Sequence, residues 1–191
     1  SHLVVDKLCV DAIINSIGIN TEAHMATTDY EIIAQRKLAD FAFDLKVKYN
    51  LTYGQTREQF LAMYDQGEIT LSTVFENLYV AVAQALGKDV NKVSEDCRDF
   101  SNDGDFKIGV LKKDGYKRRY VVSNVANKIG TIYFVGWNWI TEKPEFHVIP
   151  REVHNNVARG IKIMRHPVTG EVTTGKYNRC VKTSFEELAV A

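Results

Sequence analysis

Residues 103–122 read DGDFKIGVLKKDGYKRRYVV, and the period of their apolar positions decides the fold class. Phe106, Ile108 and Val110 alternate with Asp105, Lys107 and Gly109. A period of two places one set on each face of a strand. Asp114-Gly115 is a hairpin signal, because a tight turn needs residues that tolerate positive φ. Beyond it YKRRYVVSNV reads as a second strand, with Tyr120 and Val122 on one side.

Working outward towards the C-terminus, the strand pattern persists. Asn127-Lys128-Ile129-Gly130 turns the chain into TIYFVGWNWI, whose β-branched and aromatic content suits a central strand. EFHVIP reads as a further strand closed by Pro150, RHPVTGEVTTGKYNRCV as a loop or hairpin, and TSFEELAVA as a short terminal helix. Trp137, Trp139 and Tyr133 are expected to pack in or on the sheet.

Before about residue 90 the period is helical. VVDKLCVDAIINSIGI carries Val5, Leu8, Ile13 and Ile17 at helical spacing. His24-Met25 is nevertheless the kind of junction left by a foreign leader or an alternative start, so residues 1–24 need not be native. TTDYEIIAQRKLADFAFDLKVKYN has one broad apolar face, with Thr27 or Thr28 expected as N-cap. TREQFLAMYDQG starts at Thr56 and stops at Gly67, and the most apolar helix, LSTVFENLYVAVAQALG, ends at Gly87. Helices followed by a sheet predict an α/β (α+β) class, with N-terminal helices packed on a central mixed sheet. The length suits one domain spanning 1–191, of which 1–90 is mainly a helical layer and 91–191 the sheet and a basic region.

Composition narrows the function. No apolar run reaches the ~18 residues of a membrane span, and the N-terminus lacks a signal-peptide pattern. Cys9, Cys97 and Cys180 are scattered with no CxxC, which predicts neither a disulfide framework nor a zinc site and fits a reducing, cytoplasmic setting. Net charge is zero, but residues 1–105 carry 9 Lys/Arg against 17 Asp/Glu, and residues 106–191 carry 15 against 7. A balance of +8 over the second part suits a polyanion. It equally suits pairing with the acidic part, within the chain or across a dimer.

In a strand, residues i and i+2 share a face, so Asp105 and Lys107 are expected side by side. A carboxylate ligates Mg²⁺, and a neighbouring lysine can orient the attacking water and offset phosphate charge. Further carboxylates lie just upstream at Glu95, Asp96, Asp99 and Asp103. Glu76 could reach the same place from the helical layer. Alternatively it closes a capping box, since Thr73-x-x-Glu76 fits S/T-x-x-E. His147, His154 and His166 with Asn155 and Asn156 lack ββα spacing, no G-x-S-x-G elbow exists, and the glycines form no phosphate loop.

The helix FENLYVAVAQALG, the acids of EDCRDFSNDGDFK, the triplet Asp105-Phe106-Lys107 and the strand TIYFVGWNW resemble the PD-(D/E)XK nucleases, which include many Type II restriction endonucleases. The resemblance covers about residues 70–150. It implies a restriction-endonuclease-like fold and Mg²⁺-dependent cleavage of double-stranded DNA, commonly by a homodimer. Asp105 with Asp99 or Asp103 would hold the metal, Lys107 would assist the water, and Glu76 would be a secondary contact. Lys112, Lys113, Lys117, Arg118 and Arg119, with Lys128, would follow the backbone. Asn155, Asn156, Arg159, Lys162, Arg165, Lys176, Asn178 and Arg179 would form a second group suited to base edges. The chain departs from the family in having no Pro-Asp dipeptide and a shorter interval between its first Asp and D-x-K. A second register makes Asp105 the lone first Asp. It leaves Ser123-Asn124-Val125 where (D/E)-x-K belongs, so the site would be degraded or would recruit Lys128. A non-catalytic DNA-binding module and a dimeric interaction protein are the alternatives to an endonuclease.

Overall fold

The computed structural model describes the backbone from Thr21 and side chains from Asp29 to Ala191; the expected helix over residues 4–17 lies outside this range. Three helices come first: α1 (Thr21–Lys48), α2 (Arg57–Asp65) and α3 (Leu71–Ala85). The strands are β1 (Lys92–Glu95), β2 (Arg98–Phe100), β3 (Asp105–Val110), β4 (Lys112–Asp114), β5 (Lys117–Val122), β6 (Ile132–Asn138) and β7 (Lys143–Ile149). After them come α4 (Arg151–His154), β8 (Ile161–Arg165), a 3₁₀ turn (Asn178–Cys180), β9 (Val181–Lys182) and α5 (Phe185–Val190). The class is mixed α+β, as the change of period predicts.

The four-stranded sheet has the order β3-β6-β7-β9 and is mixed, with β3 parallel to β6 and the other pairs antiparallel. Its first face meets the helices. On α3, Leu71, Phe75, Leu78, Tyr79, Val82 and Ala83 are buried, the i, i+4, i+7, i+8 spacing of a core-facing stripe. They pack on Phe106 and Val110 of β3, Tyr133 and Val135 of β6, and Phe146 and Val148 of β7. Phe75 and Phe106 stack with centroids 6.0 Å apart and rings inclined by 8°. The second face is covered by a three-stranded sheet, β4-β5-β8. There Leu111, Tyr120, Val122, Ile161 and Ile163 close on Ile132, Phe134 and Ile149. Strand β6, buried on both faces from Ile132 to Gly136, is the central strand that its composition predicts. Gly136 is required there, because a Cβ would come within 2.6 Å of the Tyr120 ring.

One continuous stretch serves both sheets. β3 pairs with β6, the Leu111 N–H donates to the Trp137 carbonyl at 3.0 Å, and the chain then leaves as β4 to pair with β5. The expected hairpin forms, with Gly115-Tyr116 as its two turn residues between the paired Asp114 and Lys117, and Gly115 at φ 58°.

Several expectations change. Helix α1 begins at Thr21, so Thr27 and Thr28 lie inside it and neither is its N-cap. Helix α3 starts at Leu71, whose side chain enters the core, with Thr70 as N-cap. Thr73 therefore lies inside the helix and the capping-box reading of Glu76 fails. Thr56 does cap α2 through a capping box with Gln59. The acidic run before β3, to which the sequence pattern assigns no element, contains the β1–β2 hairpin. GIKIMR, which carries no strand signal strong enough to announce it, supplies β8, a strand whose burial alternates from Ile161 to Arg165. Among the described residues no helix is long and apolar enough to cross a membrane.

Candidate functional site

Asp105 opens β3 on the sheet's second face and is 2% exposed. Two ammonium groups approach it. Lys107, one pleat along the same face, lies 3.4 Å from Oδ2, and Lys128, from the loop before β6, lies 3.1 Å from Oδ1. The expected Asp105–Lys107 pair is therefore formed. The Lys128 contact is ionic and off the direction a hydrogen bond needs, so the enclosed Oδ1 accepts no hydrogen bond. A buried carboxylate oxygen left in this way normally has a partner, protein or otherwise.

Asp99, at the centre of β2, reaches the same point. Its Oδ2 accepts the Phe106 N–H at 2.8 Å, which pins it against the free edge of β3. Burial raises its carboxyl to about 6 against the pull of that N–H; the charges of Asp105 and Glu76 and a hydrogen bond shared with Asp105 add to the rise. Below about pH 6 Asp99 thus carries a proton, and above it two carboxylates face each other. Glu76 lies close enough to be felt by Asp99, but its side chain is held by Lys92 at 3.1 Å. Asp103 is turned away: it is exposed and pairs with Arg98 at 2.9 Å. Glu95 is drawn to the same arginine at 3.0 Å. Of the upstream acids, the fold brings Asp99 to Asp105.

Among the described residues no three His, Cys, Asp or Glu side chains group so as to hold a metal ion. Mg²⁺ asks for less, since it keeps several waters and is commonly bound through one or two carboxylates together with substrate phosphate. Asp99 and Asp105, whose carboxyls meet at the start of β3 and of which Asp105 Oδ1 accepts no hydrogen bond, fit that requirement. The group, when bound, would polarise a phosphate and lower the pKa of a water.

Lys128 holds its place through backbone contacts that no side-chain pattern announces. Its Nζ donates to the Asp96 carbonyl at 2.7 Å, its own carbonyl accepts from Arg151, and the Ile129 N–H reaches the Cys97 carbonyl at 3.4 Å. His154 Nε2 lies 2.7 Å from the Gly130 carbonyl. Gly130 passes so close to Asp103 that a Cβ there would land on the Asp103 carbonyl. Gly130→Ala is expected to cost about 1–3 kcal/mol, because backbone must move to admit the methyl. Thermal unfolding measures this, and an unchanged midpoint would show that the loop has room to shift.

The expected DNA-facing residues divide into three groups. Lys112, Lys117, Arg119 and Lys162 share the outer face of β4-β5-β8, by the register Lys112↔Arg119 and Val121↔Lys162. Lys112 is paired with Glu31 at 3.0 Å and Arg119 with Asp114 at 2.7 Å. Lys117 and Lys162 have no carboxylate partner among the described residues. Lys113 and Arg118 face each other across the hairpin on its other side. Asn155, Asn156 and Arg159, after α4, Lys176, before the 3₁₀ turn, and Arg179, within it, are exposed.

Two expectations are corrected. Arg165 is 2% exposed and binds Glu145 at 2.9 Å, between the two sheets; it has no surface to offer a DNA strand. Asn178 Oδ1 lies 3.5 Å from the same guanidinium. Lys128, also placed along DNA by the sequence reading, is enclosed against Asp105 instead.

No protein-family model matches the chain, and no curated protein or solved structure does either.

Proposed function

We propose that this chain is a Mg²⁺-dependent endonuclease acting on double-stranded DNA, with a site of PD-(D/E)XK type on a restriction-endonuclease-like fold. The observation that carries the reading is the meeting of Asp99 and Asp105 at the start of β3, with Lys107 at 3.4 Å on the same face. Asp105 and Asp99 would hold the metal, and Lys107 would orient the attacking water and offset charge on the phosphate. Glu76, tied to Lys92, would contribute field rather than ligation. The basic outer face of β4-β5-β8 supplies counter-charge for the backbone, and a homodimer would cut both strands. Lys128 at Asp105 answers the second register: a lysine from the loop stands where strand β5 provides none.

The test is cleavage of a mixed-sequence duplex by the wild type and Lys107→Ala, each with Mg²⁺ and with EDTA. Discrete fragments from the wild type that need Mg²⁺, and a loss of about 10²-fold or more in rate for Lys107→Ala, are expected. Salt-sensitive binding without cleavage would leave a DNA-binding module in which Lys107 and Lys128 simply neutralise Asp105. Neither binding nor cleavage would leave the charge asymmetry as a feature of assembly.

A further inference from the structure

The tip of the β4–β5 ribbon combines features that folding alone does not require. Tyr116, the second residue of the turn, is 76% exposed. The stalk below it is held firmly. The Lys113 N–H donates to the Tyr30 hydroxyl at 2.8 Å, and Arg118 Nη1 donates to the Gly115 and Lys117 carbonyls at 2.8 and 2.9 Å. The Arg118 guanidinium lies 5.6 Å over Trp139, which packs at a tilt against Tyr30 and donates through Nε1 to the Leu111 carbonyl at 2.9 Å. A large aromatic ring is thus presented to water on a fixed support.

The charges along the ribbon are equally unfavourable by themselves. Lys112 stands directly opposite Arg119, and Lys113 opposite Arg118; like charges at such positions destabilise a sheet. Glu31 and Asp114 offset the first pair. The second has no carboxylate partner among the described residues, and Lys117 Nζ sits 5.9 Å from the Tyr116 ring. An anion with a flat apolar face relieves both problems. Nucleic acid has that chemistry: phosphates for the cations, and a base for the ring.

We infer that Tyr116 stacks on an unpaired base, with Lys113 and Lys117 on the flanking phosphates, so that DNA carrying an unpaired segment is preferred over continuous duplex. Inside a duplex both faces of each base are covered by its neighbours, and a single ring at a hairpin tip gains a stacking surface only at an end, flap or gap. Eleven positions separate Asp105 from Tyr116, a reach of at most about 40 Å. The unpaired base therefore lies within about twelve nucleotide steps of the phosphate at Asp105.

The inference rests on the DNA reading above, and the experiment separates the two. Affinity is measured in EDTA, by fluorescence anisotropy, for a blunt duplex, the same duplex with a single-stranded extension, and the free single strand. The wild type is expected to prefer the two substrates with unpaired bases by about 5- to 100-fold. Tyr116→Ala loses that preference and falls to the blunt-duplex affinity with its salt dependence unchanged, while Tyr116→Phe stays within about two-fold of the wild type. Circular dichroism confirms folding, which an exposed residue does not control. Equal, salt-sensitive affinity for all three substrates, or Tyr116→Ala behaving as the wild type, overturns the stacking inference and leaves the DNA reading standing. No binding to any of them overturns both.

Discussion

Arg165→Ala is expected to lower folding stability by about 3–5 kcal/mol, the cost of leaving one member of a buried ion pair alone. Arg165 ends β8 in one sheet and Glu145 lies on β7 in the other, with Nε 2.9 Å from Oε1. His147 Nε2 is 3.3 Å from the same guanidinium, and the arginine also lies 5.7 Å over the Tyr120 ring. Burial alone would raise the Glu145 carboxyl. The His147 ring, 3.9 Å away, and the charge and hydrogen bonds of Arg165 outweigh it and bring the group down to about 2. A depressed carboxyl contributes fully above its ordinary value, and the contribution is lost as pH falls from there through about 2. Urea unfolding at neutral pH therefore shows the loss for Arg165→Ala, and the difference from the wild type narrows at the acid end. Removing both charges, as in Glu145→Leu with Arg165→Met, returns much of the stability, because the desolvation cost goes with them. A loss below about 1 kcal/mol for Arg165→Ala would mean that water reaches Glu145 and that the sheets are not closed there.

The second large effect is at Asp99, and its sign is the opposite. An Asp raised to about 6 in the fold holds its proton while the unfolded chain releases it. Stability therefore falls as pH rises from about 4 to about 6, then levels. The loss should be about 1 kcal/mol, well under the full linkage value, because the group is half-exposed and screened. Asp99→Asn removes the slope. Mg²⁺ reverses it: a cation bound by two ionised carboxylates at ten times its dissociation constant adds about 1.4 kcal/mol. Melting curves in EDTA and in Mg²⁺ at pH 5 and pH 8 measure both effects. A wild type that shows the pH slope but no Mg²⁺ gain at pH 8 would sink the metal role of Asp99 while confirming its proximity to Asp105.

Much of this geometry follows from local pattern. The alternation from Asp105 to Val110 placed Phe106, Ile108 and Val110 on one face and set Asp105 beside Lys107, and the structure has both. Asp114-Gly115 and Thr56 act as their chemistry requires, because turns and caps are local. What the sequence hid is what long-range packing decides. Asp99 and Asp103 are indistinguishable as letters. One accepts the Phe106 N–H and turns inward; the other sits in a turn at φ 68° beside Arg98. Arg165 reads as one more cation in a basic segment, and only the pairing of β8 with β5 turns it towards Glu145. Lys128 arrives through contacts to the carbonyls of Asp96 and Cys97, which carry no side-chain signature. Strand β8 leaves little trace in the sequence, because its apolar positions, Ile161 and Ile163, are too few to outweigh the turn residues around them.

The shared stretch that runs from β3 into β4 has an evolutionary consequence. No residue between Lys112 and Arg119 is buried, so neither hydrophobic core constrains that segment. The ribbon can drift in sequence, lengthen at its tip or be exchanged for another while Asp105 and Lys107 keep their setting. Selection for a new binding preference would act there first, on a part of the molecule whose variation folding does not police.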